Sequence, residues 1–172
     1  MTGDKILGQV LDSYKGYYDV TCDDSSSPFC ARAEFHSTNQ QYILVKAAKV
    51  SQSQSNEYVF FSSIESLNQT KLASLEKEAW ETGLSKITVT AGHRNSDISL
   101  IVIADRADEE AVKFLKKIRR YKSYCFTFKG WTNFSVVVID AEKGAFYSNR
   151  AGKHLKKFFK NILGRNSAQS IQ

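Results

Sequence analysis

The sequence predicts an α+β fold: a mixed, mostly antiparallel sheet with helices packed on it. Three observations predict it. Apolar residues recur at helical spacing in separate stretches, other stretches alternate or run apolar as strands do, and polar turn signals stand between them. Their order is helix, three-strand meander, helix, strand, helix, hairpin, helix.

Ile6, Leu7, Val10, Leu11 and Tyr14 form the first stripe, so residues 4–18 read as an amphipathic helix ending near Gly16. The Asp/Ser-rich stretch 22–29, which holds Pro28, reads as a loop. Strands are expected near 31–37, 41–49 and 57–63, joined by polar connections. Ser66-Leu67-Asn68-Gln69 resembles a capping box, followed by Leu72, Leu75 and Ala79 on a helix that stops at Gly83. Residues 97–104, nearly unbroken in Ile, Leu and Val, predict a central strand buried on both faces.

Asp105 or Asp108 then caps a helix through about Arg120, with acids first and bases last as the helix dipole favours. Tyr124, Phe126 and Phe128 alternate with polar neighbours and predict a strand with one aromatic face. Lys129-Gly130-Trp131-Thr132 turns it into a strand from Phe134 to Asp140, and a second hairpin turn ends at Gly144 and returns through Ala145-Phe146-Tyr147. A last helix spans roughly 152–163, with Leu155, Phe158, Phe159 and Ile162 on one stripe among lysines. Packing on the domain or lying on a membrane surface would both use that stripe.

The 172 residues suit one domain over 1–165 with a frayed tail at 166–172. No apolar run approaches the ~20 residues of a bilayer span, and the first residues lack the layout of a signal peptide, so the expected compartment is the cytoplasm. Cys22, Cys30 and Cys125 make an odd number without zinc spacing, so no metal site is expected. Geometry allows a Cys22–Cys30 disulfide across the loop, but a reducing cytosol disfavours it. Cys125 reads as a small core-lining strand residue. Nothing in the sequence identifies a cofactor.

Charge is the most informative coarse feature. Residues 1–110 carry ten Lys+Arg against sixteen Asp+Glu, a net of −6, and residues 111–172 carry fourteen against two, a net of +12. Such asymmetry points to an anionic partner, a nucleic acid or a membrane surface. It also allows a homodimer that sets one subunit's acidic half against the other's basic half.

Glu34 and His36 sit two apart on a predicted strand and share a face, where a carboxylate beside an imidazole can orient a general base or hold a metal. Lys46 is a charge inside the apolar run 43–48, and hairpin register decides whether it joins them. His93 opens a polar cluster, His93-Arg94-Asn95-Ser96-Asp97, that leads into the central strand. These four are the candidate catalytic residues, although a solvated strand and an ordinary loop explain them as well. The binding candidates are Lys129, Trp131, Arg150 and Lys153. Trp131, at a hairpin tip, either stacks on a base or folds back as a core anchor, and the nearby alternating aromatics favour the anchor. Tyr147-Ser148-Asn149-Arg150-Ala151-Gly152-Lys153 places a glycine near helix-start amides, as some phosphate sites do, but lacks the rest of a P-loop.

The segments Ala33-Glu34-Phe35-His36-Ser37, Asn56-Glu57-Tyr58-Val59-Phe60-Phe61 and Phe126-Thr127-Phe128-Lys129-Gly130-Trp131, with Tyr147-Ser148-Asn149-Arg150, resemble a family of uncharacterised bacterial and archaeal proteins over roughly residues 4–160. That resemblance implies no activity and carries over no catalytic residue. The order helix, three antiparallel strands, helix, strand is also similar in topology to the PD-(D/E)xK nuclease superfamily. Its motif is absent, since Leu44 stands two residues before Lys46 and Val59 two residues after Glu57. The expectation is a non-catalytic binding or regulatory domain whose basic C-terminal half engages an anionic partner. The alternative is an enzyme, a metal-dependent hydrolase or degenerate nuclease relative, using Glu34, His36 and Lys46.

Overall fold

A computed structural model of the chain describes residues 2–23, 26–40, 52–90, 93–125 and 128–169. Its helices are α1 (Gly3–Tyr14), α2 (Gln69–Lys86), α3 (Glu109–Lys117) and α4 (Lys153–Gln169). Its strands are β1 (Asp19–Cys22), β2 (Ala31–Gln40), β3 (Gln52–Leu67), β4 (His93–Ala107), β5 (Tyr121–Ser123), β6 (Trp131–Asp140) and β7 (Ala145–Ser148). The fold is the α+β class that the sequence predicts.

Among the described residues the strands form one sheet ordered β1-β2-β3-β4-β6-β5, with β7 also bonded to β6. β1, β2 and β3 run antiparallel, while β3, β4 and β6 run parallel through the α2 and α3 crossovers. β5 and β7 are both antiparallel to β6, at opposite ends of its outer edge. β4 is the central strand, and Ile98 and Leu100 through Ala104 are fully buried. Parallel strands covered on both faces take this continuous apolar form.

Alternate residues divide the core in two. Tyr58, Phe60, Ile98, Leu100, Phe134 and Val136 meet α2 and α3. Val59, Phe61, Ile101, Ile103, Val137 and Ile139 meet α1 and α4. Each fully buried Phe or Ile side chain stabilises the fold by roughly 1.5–3 kcal/mol. Leu155, Phe159 and Ile162 of α4 are taken up by the second core. Of the predicted stripe only Phe158 faces outward, at 44% exposure.

Caps settle two boundaries. Asn68, not Ser66, caps α2 by accepting from the Lys71 N–H, and Asp108, not Asp105, caps α3 by accepting from the Ala111 N–H. The first strand of the meander is β1, four mostly exposed residues whose lack of alternation conceals them in the sequence. β2 bonds directly to β3, and the strand expected at 41–49 lies outside the described residues. The expected aromatic strand at 124–128 is also corrected. β5 stops at Ser123, Tyr124 donates its N–H to the Gly130 carbonyl, and Cys125 lies exposed at φ 49° in the turn. Cys22 and Cys30 are free thiols.

Candidate functional site

The sequence-predicted catalytic residues fall in two places. Glu34 and His36 share a face of β2, with Glu34 Oε2 and His36 Nε2 3.6 Å apart. The cation there is Lys86 of α2, whose Nζ lies 2.6 Å from Glu34 Oε1. His36 Nδ1 meets Asn56 Oδ1 at 2.9 Å, and its ring stands edge-on to Tyr58. Burial and the charge of Glu34 raise the Tyr58 hydroxyl above the usual tyrosine range. Lys46 lies outside the described residues. His93 is elsewhere: it is buried, with Nδ1 at 2.7 Å from the Lys129 carbonyl and Nε2 at 2.9 Å from Ser96 Oγ. Its two ring nitrogens are both engaged, and it fastens the β5–β6 hairpin to β4. Gly130 beside it has φ 84°, and a Cβ there would stand 1.9 Å from the Arg94 carbonyl oxygen. Only glycine fits so close an approach.

The binding candidates lie along β6. Lys129, Arg150 and Lys153 are exposed. Trp131 is half-buried and belongs to neither core, so the anchor reading is corrected. Among the described residues no aromatic strand follows β5 to receive it, and Trp80 of α2 fills the core instead, edge-on to Phe134.

Asn149, from the Tyr-x-Asn-Arg segment, organises this edge. β7 ends opposite Val137 and β5 begins opposite Asn133, which leaves the stretch of β6 between them without a strand partner on that side. The buried Asn149 side chain fills the gap: Oδ1 accepts from Val136 N–H at 3.0 Å and Nδ2 donates to the Phe134 carbonyl at 3.0 Å. It also accepts from Gly152 N–H at 2.8 Å and donates to the Ile118 carbonyl at 3.3 Å. Gly152 lets the chain lie on β6, since a Cβ would come within 2.7 Å of the Val136 carbonyl oxygen. One side chain thus joins the sheet edge, the residue after α3 and the start of α4.

Two cavities flank this loop, and Ala151 lines both. The first, about 410 Å³, is lined by Arg119, Arg120 and Arg150 around Tyr121 and Phe134. Arg120 is held by a bidentate pair to the buried Glu76, at 2.6 and 3.0 Å. Arg119 and Arg150 have no ion-pair partner among the described residues. Tyr121 is 58% exposed and Phe128, at the hairpin tip, 92%. Lys122 follows Tyr121 and Lys129 follows Phe128, so cations and exposed aromatics alternate along the hairpin.

The second cavity, about 370 Å³, opens on the opposite face between α1 and α4. Its floor is built by register: Glu57, Asp97 and Asn133 are aligned on β3, β4 and β6, and Val59, Ser99 and Ser135 form the next row. Tyr18 donates to Glu57 Oε2 at 2.5 Å, and Asp97 accepts from the amides of Asn95 and Asn133 at 3.2 and 3.3 Å. Burial holds the Tyr18 hydroxyl well above its usual range, the hydrogen bond and charge of Glu57 adding to it. Burial, then the charge of Glu57, does the same to Tyr14. A neighbouring cavity of about 560 Å³ shares Tyr14, Glu57 and His154 and adds Tyr17, Tyr18, Phe35 and Phe158. Among the described residues no lysine or arginine lines either.

Sequence reading missed this floor. The available signal was Asp97-x-Ser99 and Asn133-x-Ser135, two polar pairs at strand spacing inside apolar runs. Parallel pairing of β4 with β6 sets them side by side.

Among the described residues no three His, Cys, Asp or Glu side chains converge as a metal site would require, and no helix is long and apolar enough to cross a membrane. Val59, at the position where a nuclease of the PD-(D/E)xK type needs its lysine, is buried under α1. Fold and cavities together define an α+β domain built on a mixed sheet, with ligand-sized hollows on its two faces. The chain belongs to the family described as Domain of unknown function (DUF8052), whose model matches residues 2–161. No curated protein and no solved structure matches it.

Proposed function

We propose that this is a binding domain whose basic edge engages single-stranded nucleic acid. The observation that carries the reading is the arginine cavity: Arg119 and Arg150, free of carboxylate partners among the described residues, stand beside the exposed ring of Tyr121. Guanidinium groups suit phosphate oxygens, and aromatic rings suit unstacked bases. Tyr121, Lys122, Phe128 and Lys129 extend the same alternation along the hairpin. A membrane surface fits less well, because α4 has given its apolar stripe to the core.

Fluorescence anisotropy with single-stranded DNA and RNA oligonucleotides, beside co-sedimentation with phosphatidylserine vesicles, tests the proposal across a salt series. Oligonucleotide binding that weakens steeply with salt is expected. Absence of oligonucleotide binding at low salt, or binding to vesicles alone, would overturn it.

A further inference from the structure

The carboxylate cavity is a different place with different chemistry. Glu57 and Asp97 are neighbours in register on β3 and β4, and their hydrogen-bond donors are neutral: a tyrosine hydroxyl and two carboxamides. Glu34, on the opposite face of the next strand, has Lys86. Two adjacent carboxylates with no lysine or arginine beside them among the described residues repel one another, and a bound positive charge would relieve that.

A second observation points the same way. Ser99 and Ser135 line the cavity floor, are 8% and 6% exposed, and have no side-chain hydrogen-bond partner among the described residues. Both residues are more than nine-tenths buried, so hydroxyls that find no protein partner are left for whatever occupies the cavity. Here both hydroxyls open into the cavity beside Asp97 and Asn133. The adjoining hollow supplies an apolar wall in Tyr17, Tyr18, Phe35 and Phe158, and aromatic faces attract organic cations.

We propose that this cleft binds an organic amine, with its ammonium group between Glu57 and Asp97, its remaining N–H donors on Ser99 and Ser135, and its hydrocarbon or ring against Tyr18, Phe35 and Phe158. A bare metal ion does not account for the aromatic wall, and a neutral polyol does not account for the paired charges. This site is independent of the arginine cavity and of the nucleic-acid reading.

The test compares 2-phenylethylamine with its neutral counterpart 2-phenylethanol on the full chain. Binding is read by calorimetry and by NMR shifts of the Asn95 and Asn133 side-chain amides, which donate to Asp97. Saturable amine binding, at least about tenfold tighter than the alcohol, is expected. Glu57→Gln and the near-isosteric Asp97→Asn should each weaken the amine about tenfold or more. Equal binding of amine and alcohol, no saturable shift at about 10 mM amine, or unchanged affinity in folded variants would overturn the proposal. Should either variant fail to fold, the amine-to-alcohol ratio of the parent chain decides alone.

Discussion

The two cavities that meet at Ala151 are close in size, about 410 and 370 Å³, yet opposite in charge. Among the described residues, one presents Arg119 and Arg150 without carboxylates to match them, and the other presents Glu57 and Asp97 without a lysine or arginine. Elsewhere the fold matches its half-buried charges: Glu34 has Lys86, Glu76 has Arg120, and Asp23 has Arg32. The lesson is that a finished ion pair marks architecture, while an unmatched group on a concave surface marks a place for a partner.

The partition itself is the first thing to break. Asn149→Ala should cost about 3–5 kcal/mol, because the buried Val136 and Gly152 N–H groups lose their acceptor and each such group costs about 1–3 kcal/mol. Urea unfolding measures it. A loss under about 1 kcal/mol would show that Asn149 does not hold the edge.

Trp131→Ala separates the edge from the core. It should destabilise by well under the about 3–5 kcal/mol expected for Trp80→Ala, since Trp131 is only half-buried. It should still weaken oligonucleotide binding by about 1–3 kcal/mol if a base stacks there. Thermal melts and anisotropy on the same two variants give both numbers.

Alkaline pH sharpens the contrast between the cavities. Tyr14 and Tyr18 have hydroxyls raised in the fold by burial and by Glu57. Their stabilisation is complete below about pH 10, the unfolded value, and is lost as pH climbs from there toward the raised folded values. Melting temperature should therefore fall above about pH 10, less steeply in Tyr14→Phe and Tyr18→Phe and with unchanged slope in Arg119→Ala. The smallest effect belongs to the finished pair. Lys86→Met should cost no more than about 1 kcal/mol, because Lys86 and Glu34 are each about a third exposed and solvent screens them. Chemical denaturation with and without added salt checks it.

How much of this was legible in the sequence varies by region. Helical stripes, the central strand at 97–104 and the Asp140 turn were readable because local periodicity and turn chemistry determine them. β1 was not, because four exposed residues carry no pattern and only β2 makes them a strand. Glu34 and His36 were placed on one face correctly by spacing, but their cation came from α2, and strand pattern cannot report a helix terminus 52 residues away. The carboxylate floor needed three strands in register, which is long-range information. Asn149 stands in the Tyr-x-Asn-Arg segment that carries the family resemblance, but its work as a substitute for missing strand hydrogen bonds follows only from β5 and β7 stopping short of each other.

The most direct test of the binding account is the salt slope of single-stranded oligonucleotide affinity, measured for the parent chain and for Arg119→Glu/Arg150→Glu. Each phosphate contact contributes about 0.7 to the slope of log affinity against log salt. Removing two contacts should flatten that slope by about 1.4, while far-ultraviolet circular dichroism stays the same. A folded double variant with the parent's slope and affinity would contradict the account.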